Sequence, residues 1–231
     1  MSAEHPTSST VTAAQLARMI DHSLLTPTMT VAEVTAGCEL AARYQVASVC
    51  ARPCDVERSA RLLAGTGVLV GTVVGFPHGS TTTQIKVAET LDAIEHGAQE
   101  IDMVLSISRL RSGDLAAVEA DIRAVVGAAG DAPVKVILEN AYLTDEQKVA
   151  GCQAVERAGA AFVKTSTGFA PTGATAADVR LMRATVSAHL EVKAAGGIRT
   201  LDQMLDMLAA GATRFGSTAT ATIIDELALR G

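Results

Sequence analysis

A lysine follows the apolar part of one short segment, Ala161-Phe-Val-Lys-Thr-Ser-Thr-Gly168. Phe162 and Val163 predict a buried strand, and burial disfavours an ammonium group and lowers its pKa. A lysine that has lost its proton is a nucleophile, able to form a Schiff base with a carbonyl compound. The alternative is a structural lysine whose ammonium reaches solvent at the strand end. Lys164 is therefore a candidate nucleophile.

Three more charged residues, Asp21, Asp102 and Lys193, interrupt apolar stretches that also read as strands. Side chains alternate along a strand, so each of the three points away from its apolar neighbours. A second ammonium close to Lys164 would help one of the two lose its proton, and Asp102 can exchange protons or neutralise the remaining cation. The alternative is a purely structural set of buried ion pairs. Such sets are weak evidence for stability, and the pattern therefore favours chemistry.

The elements that carry these residues form a regular succession of strands and helices. Eight strand–helix units are predicted, and such alternation implies a parallel sheet with right-handed crossovers. We therefore predict an α/β fold, a single-domain TIM (β/α)8 barrel, with a short extra helix at 13–18. An open doubly wound sheet would need a glycine-rich fingerprint after the first strand, and Leu24-Leu-Thr-Pro-Thr28 has none. The strands are predicted at 19–25, 46–51, 68–76, 100–105, 134–139, 162–167, 190–195 and 214–216.

Helix starts are marked by local sequence signals. Capping boxes of the form S/T-x-x-E/Q begin at Thr30, Thr144 and Thr200, and Ser80 or Thr81 is expected to cap the helix after the third strand. The barrel domain is predicted to span residues 11–231. The polar residues 1–10 are predicted to be a flexible tail without the features of a signal peptide.

Two glycine-bearing segments follow the last predicted strands: Ala195-Gly-Gly-Ile-Arg-Thr200 and Phe215-Gly-Ser-Thr218. Barrels frequently bind phosphate with the loops after strands seven and eight. Gly196 and Gly197 allow backbone N–H groups to approach an anion, and Ser217 adds an N–H and a hydroxyl. A double glycine can also be a simple tight turn, but the position of both segments favours a phosphate site.

Composition excludes several other classes of protein. The formal net charge of −6 argues against nucleic-acid binding, and no apolar run is long enough to cross a membrane. No metal-ligand spacing is visible among the histidines and cysteines. The four cysteines, Cys38, Cys50, Cys54 and Cys152, are expected to be free thiols, which indicates a reducing cytoplasm.

Six motifs along nearly the whole chain resemble those of deoxyribose-phosphate aldolases, a family of class I aldolases. The last two are highly specific in combination. The motifs are Ile20-Asp-His-Ser-Leu-Leu25, Thr72-Val-Val-Gly-Phe-Pro-His78, Glu100-Ile-Asp-Met103, Lys135-Val-Ile-Leu-Glu139, Phe162-Val-Lys-Thr-Ser-Thr-Gly168 and Val192-Lys-Ala-Ala-Gly-Gly-Ile-Arg-Thr200.

The resemblance implies reversible cleavage of 2-deoxy-D-ribose 5-phosphate to D-glyceraldehyde 3-phosphate and acetaldehyde, in deoxyribonucleotide catabolism. It implies no cofactor and a homodimer. It gives Lys164 the Schiff base, Lys193 the role of the neighbouring cation and Asp102 a place in the proton relay. The residues it implies for substrate binding, together with the phosphate loops, are Asp21, Cys50, Thr165, Gly168, Gly196, Gly197, Gly216 and Ser217.

The chain departs from the family pattern at Thr26, Arg52 and Ala195 and in Gly216-Ser-Thr218, which concerns the pocket rim and phosphate affinity rather than the reaction type. Two other functions remain open. One is another Schiff-base aldolase, of transaldolase type, with a different carbonyl donor. The other is a non-catalytic sugar-phosphate binder that has kept the barrel; the intact set of Asp102, Lys164 and Lys193 argues against it.

Overall fold

The structure is a computed structural model and describes residues 7–8 and 10–230. In these residues eight parallel strands pair in chain order, and β8 pairs with β1, so the sheet closes into a barrel. The predicted TIM barrel is confirmed. The strands are β1 Ile20–Leu24, β2 Ser48–Ala51, β3 Leu69–Val74, β4 Glu100–Val104, β5 Val134–Ile137, β6 Phe162–Lys164, β7 Glu191–Ala195 and β8 Arg214–Ser217.

Helices follow each strand and cover the outside of the barrel. The capping boxes predicted at Thr30, Thr144 and Thr200 are confirmed, because each threonine accepts from the backbone N–H three residues later. The helices are α1 Ala13–Ala17, α2 Val31–Tyr44, α3 Val56–Leu63, α4 Thr83–Glu95, α5 Ile107–Arg111, α6 Leu115–Ala129, α7 Asp145–Arg157, α8 Ala176–Thr185, α9 Leu201–Ala209 and α10 Thr220–Arg230.

Three local predictions are corrected. The cap of α4 is Thr82, not Ser80 or Thr81, because its hydroxyl accepts from the N–H of Ile85. The short helix α5 was not predicted; it lies in the loop between β4 and α6. The sixth strand ends at Lys164 rather than at residue 167, and a turn follows in which the N–H of Phe169 donates to the hydroxyl of Thr167.

The predicted tail of residues 1–10 falls mostly outside the described residues. At its end, the N–H groups of Thr10 and Val11 both donate to the carbonyl of Thr7, which forms a turn that leads into α1. The boundary between tail and domain stays a prediction. Within the ranges that the structure covers, no helix is long and apolar enough to cross a membrane.

The side chains of each strand alternate between the helix-facing side and the inside of the barrel, as predicted. Ile101, Met103 and Val192 belong to the apolar core shared with the helices and are fully buried. The opposite set points into the barrel. Neighbouring strands are in register there, with Asp102 beside Lys135 and Lys164 beside Lys193. Charged side chains from several strands therefore meet at one level inside the barrel.

Candidate active site

Seven charged side chains fill the inside of the barrel, and we call them the charged layer. Six of them are buried, and the seventh, Arg214, is largely so. They come from six strands, β1, β4, β5, β6, β7 and β8. The charged layer consists of Asp21, Glu100, Asp102, Lys135, Lys164, Lys193 and Arg214.

Asp102 lies at the centre of this layer. Its Oδ2 accepts from the Nζ atoms of Lys164 and Lys193, each at 2.6 Å. Its Oδ1 accepts from Lys135 Nζ at 3.0 Å. Lys193 also donates to Asp21, so this lysine bridges two carboxylates. The structure thus brings together the four residues that the sequence selected for chemistry.

The remaining members of the layer were missed by the sequence reasoning. Lys135 Nζ lies 2.7 Å from Glu100, and Arg214 donates to Glu100 at 2.6 Å and to Asp21 at 2.5 Å. Two of them could have been predicted from the sequence. Glu100 is two residues from Asp102 in the same strand and therefore points to the same side, and Lys135 lies within an otherwise apolar strand. Arg214 carries a weaker signal, because it begins the short strand β8.

The environment shifts the pKa values of the two central lysines in opposite directions. Burial lowers the pKa of Lys164, and the cation of Lys193 lowers it further, against the attraction of Asp102. Burial also opposes the charge of Lys193, but Asp102 and Asp21 together outweigh it and raise that pKa. Burial opposes the charge of Asp102 as well, yet Lys135, Lys164 and Lys193 hold its pKa well below its usual range. Of the two, Lys164 is therefore the amine that loses its proton more readily.

The balance of charges in the layer also favours the loss of the proton from Lys164. The carboxylates are Asp21, Glu100 and Asp102, which is three; the cationic side chains are Lys135, Lys193, Arg214 and Lys164, which is four. Unpaired charge is costly inside a protein. The excess disappears when one lysine is neutral. Because both Asp21 and Asp102 attract Lys193, and Lys164 touches Asp102 alone, Lys164 is the one that discharges at least cost.

A cavity of about 350 Å³ opens over this layer, and both central lysines line it. It lies at the carboxyl ends of the strands, where barrel enzymes place their chemistry. Of the residues predicted to bind substrate, all but Thr165 line the cavity; they are Asp21, Cys50, Gly168, Gly196, Gly197, Gly216 and Ser217. The cavity is also lined by four residues that were not predicted to bind substrate, Ser23, Thr167, Phe169 and Arg199, and by Thr26 and Thr218, which the sequence had connected with the pocket rim and the phosphate loops.

Thr165 is not among the residues that line the cavity, and its contact with substrate stays a prediction. Its hydroxyl donates to the carbonyl of Ala195 at 3.2 Å and accepts from the N–H of the same residue at 3.1 Å. Strand alternation places Thr165 on the side opposite Lys164, between β6 and β7. Its side chain therefore ties the strand of the candidate nucleophile to the strand of Lys193.

One side of the cavity is built from glycine backbone. Gly196 and Gly197 both have positive φ angles, 85° and 80°, which favour glycine. A side chain at Gly216 would come within 2.9 Å of the Ala195 side chain, so glycine keeps this wall open. The hydroxyl of Ser217 donates to the carbonyl of Ile198 at 2.9 Å and accepts from the N–H of Ala219 at 3.0 Å, which leaves one lone pair for a further donor.

The opposite side is apolar. Leu25, Cys50, Val73 and Phe76 form a small cluster separate from the main core, and Leu25 and Cys50 line the cavity beside Lys164. Burial raises the pKa of the Cys50 thiol to about 11, so this residue is a neutral, weakly polar group. This wall therefore offers an apolar surface that matches a small alkyl group.

Arg52, one of the departures from the family pattern, has a clear structural role. Its guanidinium donates to the carbonyls of Thr26, Pro27 and Met29 at 3.3, 3.0 and 3.1 Å, and it pairs with Asp55 at 2.7 Å. The loop after β1 contributes Thr26 and Pro27 to the cavity. Arg52 therefore shapes the rim.

The geometry points to one class of enzyme before any relative is considered. A lysine with a lowered pKa at the carboxyl end of a barrel strand, beside a retained cation and a carboxylate, is typical of enzymes that act through a Schiff base. In the residues open to description, no group of three or more histidine, cysteine or acidic side chains is placed to hold a metal ion.

Comparison with known proteins agrees with this class. The model of the DeoC/LacD family aldolases matches residues 15–220. A deoxyribose-phosphate aldolase of Streptococcus pneumoniae is 52% identical over 210 residues, which cover 91% of this chain and 96% of that one. One from Staphylococcus epidermidis is 51% identical over 211 residues, with the same coverage. The chain belongs to the DeoC/LacD family of aldolases.

Solved structures agree as well. The deoxyribose phosphate aldolase of Aeropyrum pernix, described as tetrameric, is 29% identical and superposes with a TM-score of 0.88. The alignment covers 95% of this chain and 94% of that one.

Proposed function

We propose that this chain is a class I aldolase that reversibly cleaves 2-deoxy-D-ribose 5-phosphate to D-glyceraldehyde 3-phosphate and acetaldehyde through a Schiff base on Lys164. The observation that carries the proposal is the amine of Lys164, which lines the cavity, has a lowered pKa and touches the same carboxylate oxygen as Lys193. The names of the relatives at 50% identity or more supply the substrate.

In the direction of synthesis, neutral Lys164 attacks the carbonyl carbon of acetaldehyde. The carbinolamine loses water and becomes a protonated imine, which withdraws electrons from the adjacent methyl group. A methyl proton then leaves through a water molecule held by Asp102 and Lys193, and an enamine forms. The enamine has no need of an added cofactor, because the imine itself is the electron sink.

The enamine carbon next attacks the aldehyde carbon of glyceraldehyde 3-phosphate. The new carbon–carbon bond forms as the imine is restored, and the aldehyde oxygen takes up a proton. Backbone N–H groups of the Gly196–Gly197 loop, with Gly216 and Ser217, are proposed to hold the phosphate. Water then adds to the imine and releases the product from Lys164.

The two walls of the cavity fit the two substrates. The apolar cluster around Cys50 lies beside the amine, where the two-carbon donor must sit. The glycine-rich wall, with Arg199 at its edge, lies where an anionic acceptor would end. Arg199 adds a positive charge that favours a phosphate ester over a neutral aldehyde.

Three further features belong to the same proposal. The reaction places the enzyme in deoxyribonucleotide catabolism. Cys38, Cys50, Cys54 and Cys152 are free in the structure, which supports a reducing cytoplasm. We propose a homodimer, and light scattering of the purified protein would test it, with a tetramer as the contrary result.

The test is an assay of cleavage. Purified protein is given 2-deoxyribose 5-phosphate, and acetaldehyde and glyceraldehyde 3-phosphate are measured separately. Equal amounts of both products are expected. Replacing acetaldehyde by hydroxylated ketone donors in the reverse reaction distinguishes a transaldolase-type enzyme. Activity with those donors but not with acetaldehyde would contradict the proposal, and so would binding of the phosphate ester without turnover.

A further inference from the structure

Glu139 is a buried carboxylate in an uncommon backbone conformation. It follows β5 with φ 59° and ψ 67°, one of two non-glycine residues with positive φ in the described chain. A side chain in this region costs free energy, and so does a buried carboxylate without a cation. Such residues cluster at functional sites, where the surrounding structure maintains the strain.

All the hydrogen bonds that this carboxylate receives, within the described residues, come from Thr167. The N–H of Thr167 donates to Oε1 at 3.2 Å and to Oε2 at 3.4 Å, and the Thr167 hydroxyl donates to Oε2. The Thr167 oxygen in turn accepts from the N–H of Phe169 at 3.0 Å. Glu139 therefore fixes the shape of a turn, Thr167 to Phe169, which we call the clamped turn.

The clamped turn is part of the cavity wall. Thr167, Gly168 and Phe169 all line the cavity, three to five residues after Lys164. A side chain at Gly196 would come within 3.4 Å of the Gly168 Cα, so the clamped turn packs closely on the glycine loop proposed to hold phosphate. The ring of Phe169 meets Phe76 edge-on, with centroids 5.3 Å apart. The clamped turn thus spans from the phosphate side to the apolar side.

Glu139 is separate from the charged layer. Its carboxylate contacts the clamped turn, whereas Asp102 contacts Lys164, Lys193 and Lys135. A group that shapes one wall without touching the reacting amine can alter one half of a two-substrate reaction and spare the other. Imine and enamine formation require the amine and its proton relay, and carbon–carbon bond formation also requires a correctly held acceptor.

We propose that Glu139 is a positioning residue for the aldol acceptor: it holds the clamped turn, and through it the wall that receives the phosphorylated aldehyde. The inference rests on the proposed aldolase function. The hydroxyl proton of Thr167 is donated to Glu139 and its oxygen accepts from the N–H of Phe169, so one lone pair of this oxygen is left to accept a further hydrogen bond. It is therefore suited to accept a hydrogen bond from a substrate hydroxyl.

The test separates the two half-reactions. In heavy water without acceptor, exchange of the acetaldehyde methyl hydrogens, followed by NMR, reports imine and enamine formation alone. Addition to glyceraldehyde 3-phosphate then reports the acceptor step. Both are measured for wild type, Glu139→Gln, Glu139→Ala and Thr167→Val, together with the melting temperature of each protein.

Glu156→Gln is the matched control. The carboxylate of Glu156 accepts from the N–H of Ser187 at 2.9 Å, a similar clamp that precedes β7 and is remote from the cavity lining. This variant is expected to leave both reactions unchanged. Any change in kinetics specific to the Glu139 variants then belongs to the clamped turn.

We expect the exchange rate of the Glu139 variants to stay within about twofold of wild type. Addition to the acceptor should fall about tenfold in Glu139→Gln, which keeps one acceptor oxygen, and about 10²-fold in Glu139→Ala, chiefly as a raised KM for the acceptor. Thr167→Val should resemble Glu139→Gln, and the two changes should be non-additive when combined.

Equal loss of exchange and addition would overturn the inference, because Glu139 would then act on the amine or on the fold as a whole. Unchanged addition in Glu139→Ala would overturn it too. If Glu139→Ala does not fold, the near-isosteric Glu139→Gln and Thr167→Val decide the question. Absence of exchange in the wild type would refute the proposed aldolase function and this inference with it, and is thus distinct from a failure of the inference alone.

Discussion

Lys86 of α4 and Lys164 of β6 are both enclosed by protein, and each donates to a carboxylate oxygen at 2.6 Å, Lys86 to Asp121 and Lys164 to Asp102. Lys86 lies between helices outside the barrel, where it also donates to the carbonyl of Val104 at 2.9 Å. By its burial and its ion pair alone it cannot be distinguished from Lys164.

The difference lies in how the partner carboxylate is shared. Asp121 accepts hydrogen bonds from one ammonium group, that of Lys86, and from the hydroxyl of Thr83. Asp102 accepts hydrogen bonds from three ammonium groups, those of Lys164, Lys193 and Lys135, and it lies in a layer with more cationic side chains than carboxylates. Lys164 also lines a cavity, and Lys86 does not. The ion pair of Lys86 is thus matched one to one, whereas Lys164 lies in a layer with an excess of cations and at a cavity that a substrate can enter.

The largest difference is expected when each lysine becomes leucine and turnover is measured. Lys164→Leu removes the nucleophile, so kcat should fall by at least about 10³-fold, or roughly 4 kcal/mol of barrier. Lys86→Leu is the matched control, assayed at a temperature where it is folded, and should keep most activity. Retained turnover in Lys164→Leu would refute its role.

The order of the two variants should reverse when stability is measured, because Lys86→Leu should be destabilised and Lys164→Leu should not. Lys86→Leu leaves Asp121 buried without its cation, and loss of about 3–5 kcal/mol in the free energy of unfolding is expected. Lys164→Leu leaves three cations facing three carboxylates, so its free energy of unfolding should be equal to or higher than that of wild type. Urea denaturation followed by circular dichroism measures both. If both variants were destabilised to a similar degree, the charged layer would not contain an excess cation.

Lys193 provides the next prediction. Lys193→Leu removes the retained cation and part of the proton relay, and kcat should fall by about 10²-fold or more while the fold is kept. Lys193→Arg should also fail, because a guanidinium does not give up a proton under these conditions. Activity of the arginine variant near the wild-type level would show that only the charge matters.

A smaller effect concerns pH and a residue outside the cavity. Lys164 must be neutral to react, and its lowered pKa means that activity is lost as pH falls through a value below 10.5, that of an ordinary lysine. Lys135→Met removes a cation from Asp102, so a charged Lys164 becomes more favourable and its pKa rises. The acid limb of the kcat profile should move upward by about one pH unit, roughly 1.4 kcal/mol. A downward shift, or none, would contradict the account.

The fold and the main charged residues that meet inside the barrel were largely predictable from the sequence, because both follow from short-range rules. Strand alternation correctly turned Asp21, Asp102, Lys164 and Lys193 inward, and threonine capping boxes marked three helix starts. Alternation also placed Thr165 on the outer side; its prediction as a substrate contact came from the family resemblance alone.

What the sequence did not reveal depends on register between distant strands. Arg214 and Glu100 are 114 positions apart and meet only because β8 and β4 face each other across the closed barrel. The partnership of Glu139 with Thr167 likewise needs the loop after β6 to pass beside the end of β5. Neither contact follows from periodicity, because periodicity predicts the face of a strand on which a side chain lies and not its height along the barrel axis.

Borohydride reduction in the presence of acetaldehyde, followed by peptide mapping with mass spectrometry, tests most directly whether Lys164 alone is the reactive amine. We expect an added ethyl group confined to Lys164, with Lys86, Lys135 and Lys193 unmodified. An ethyl group on Lys193 would reverse the roles of the two central lysines. Folded protein with no specific ethyl group would contradict the account and favour a protein that binds sugar phosphates without turning them over.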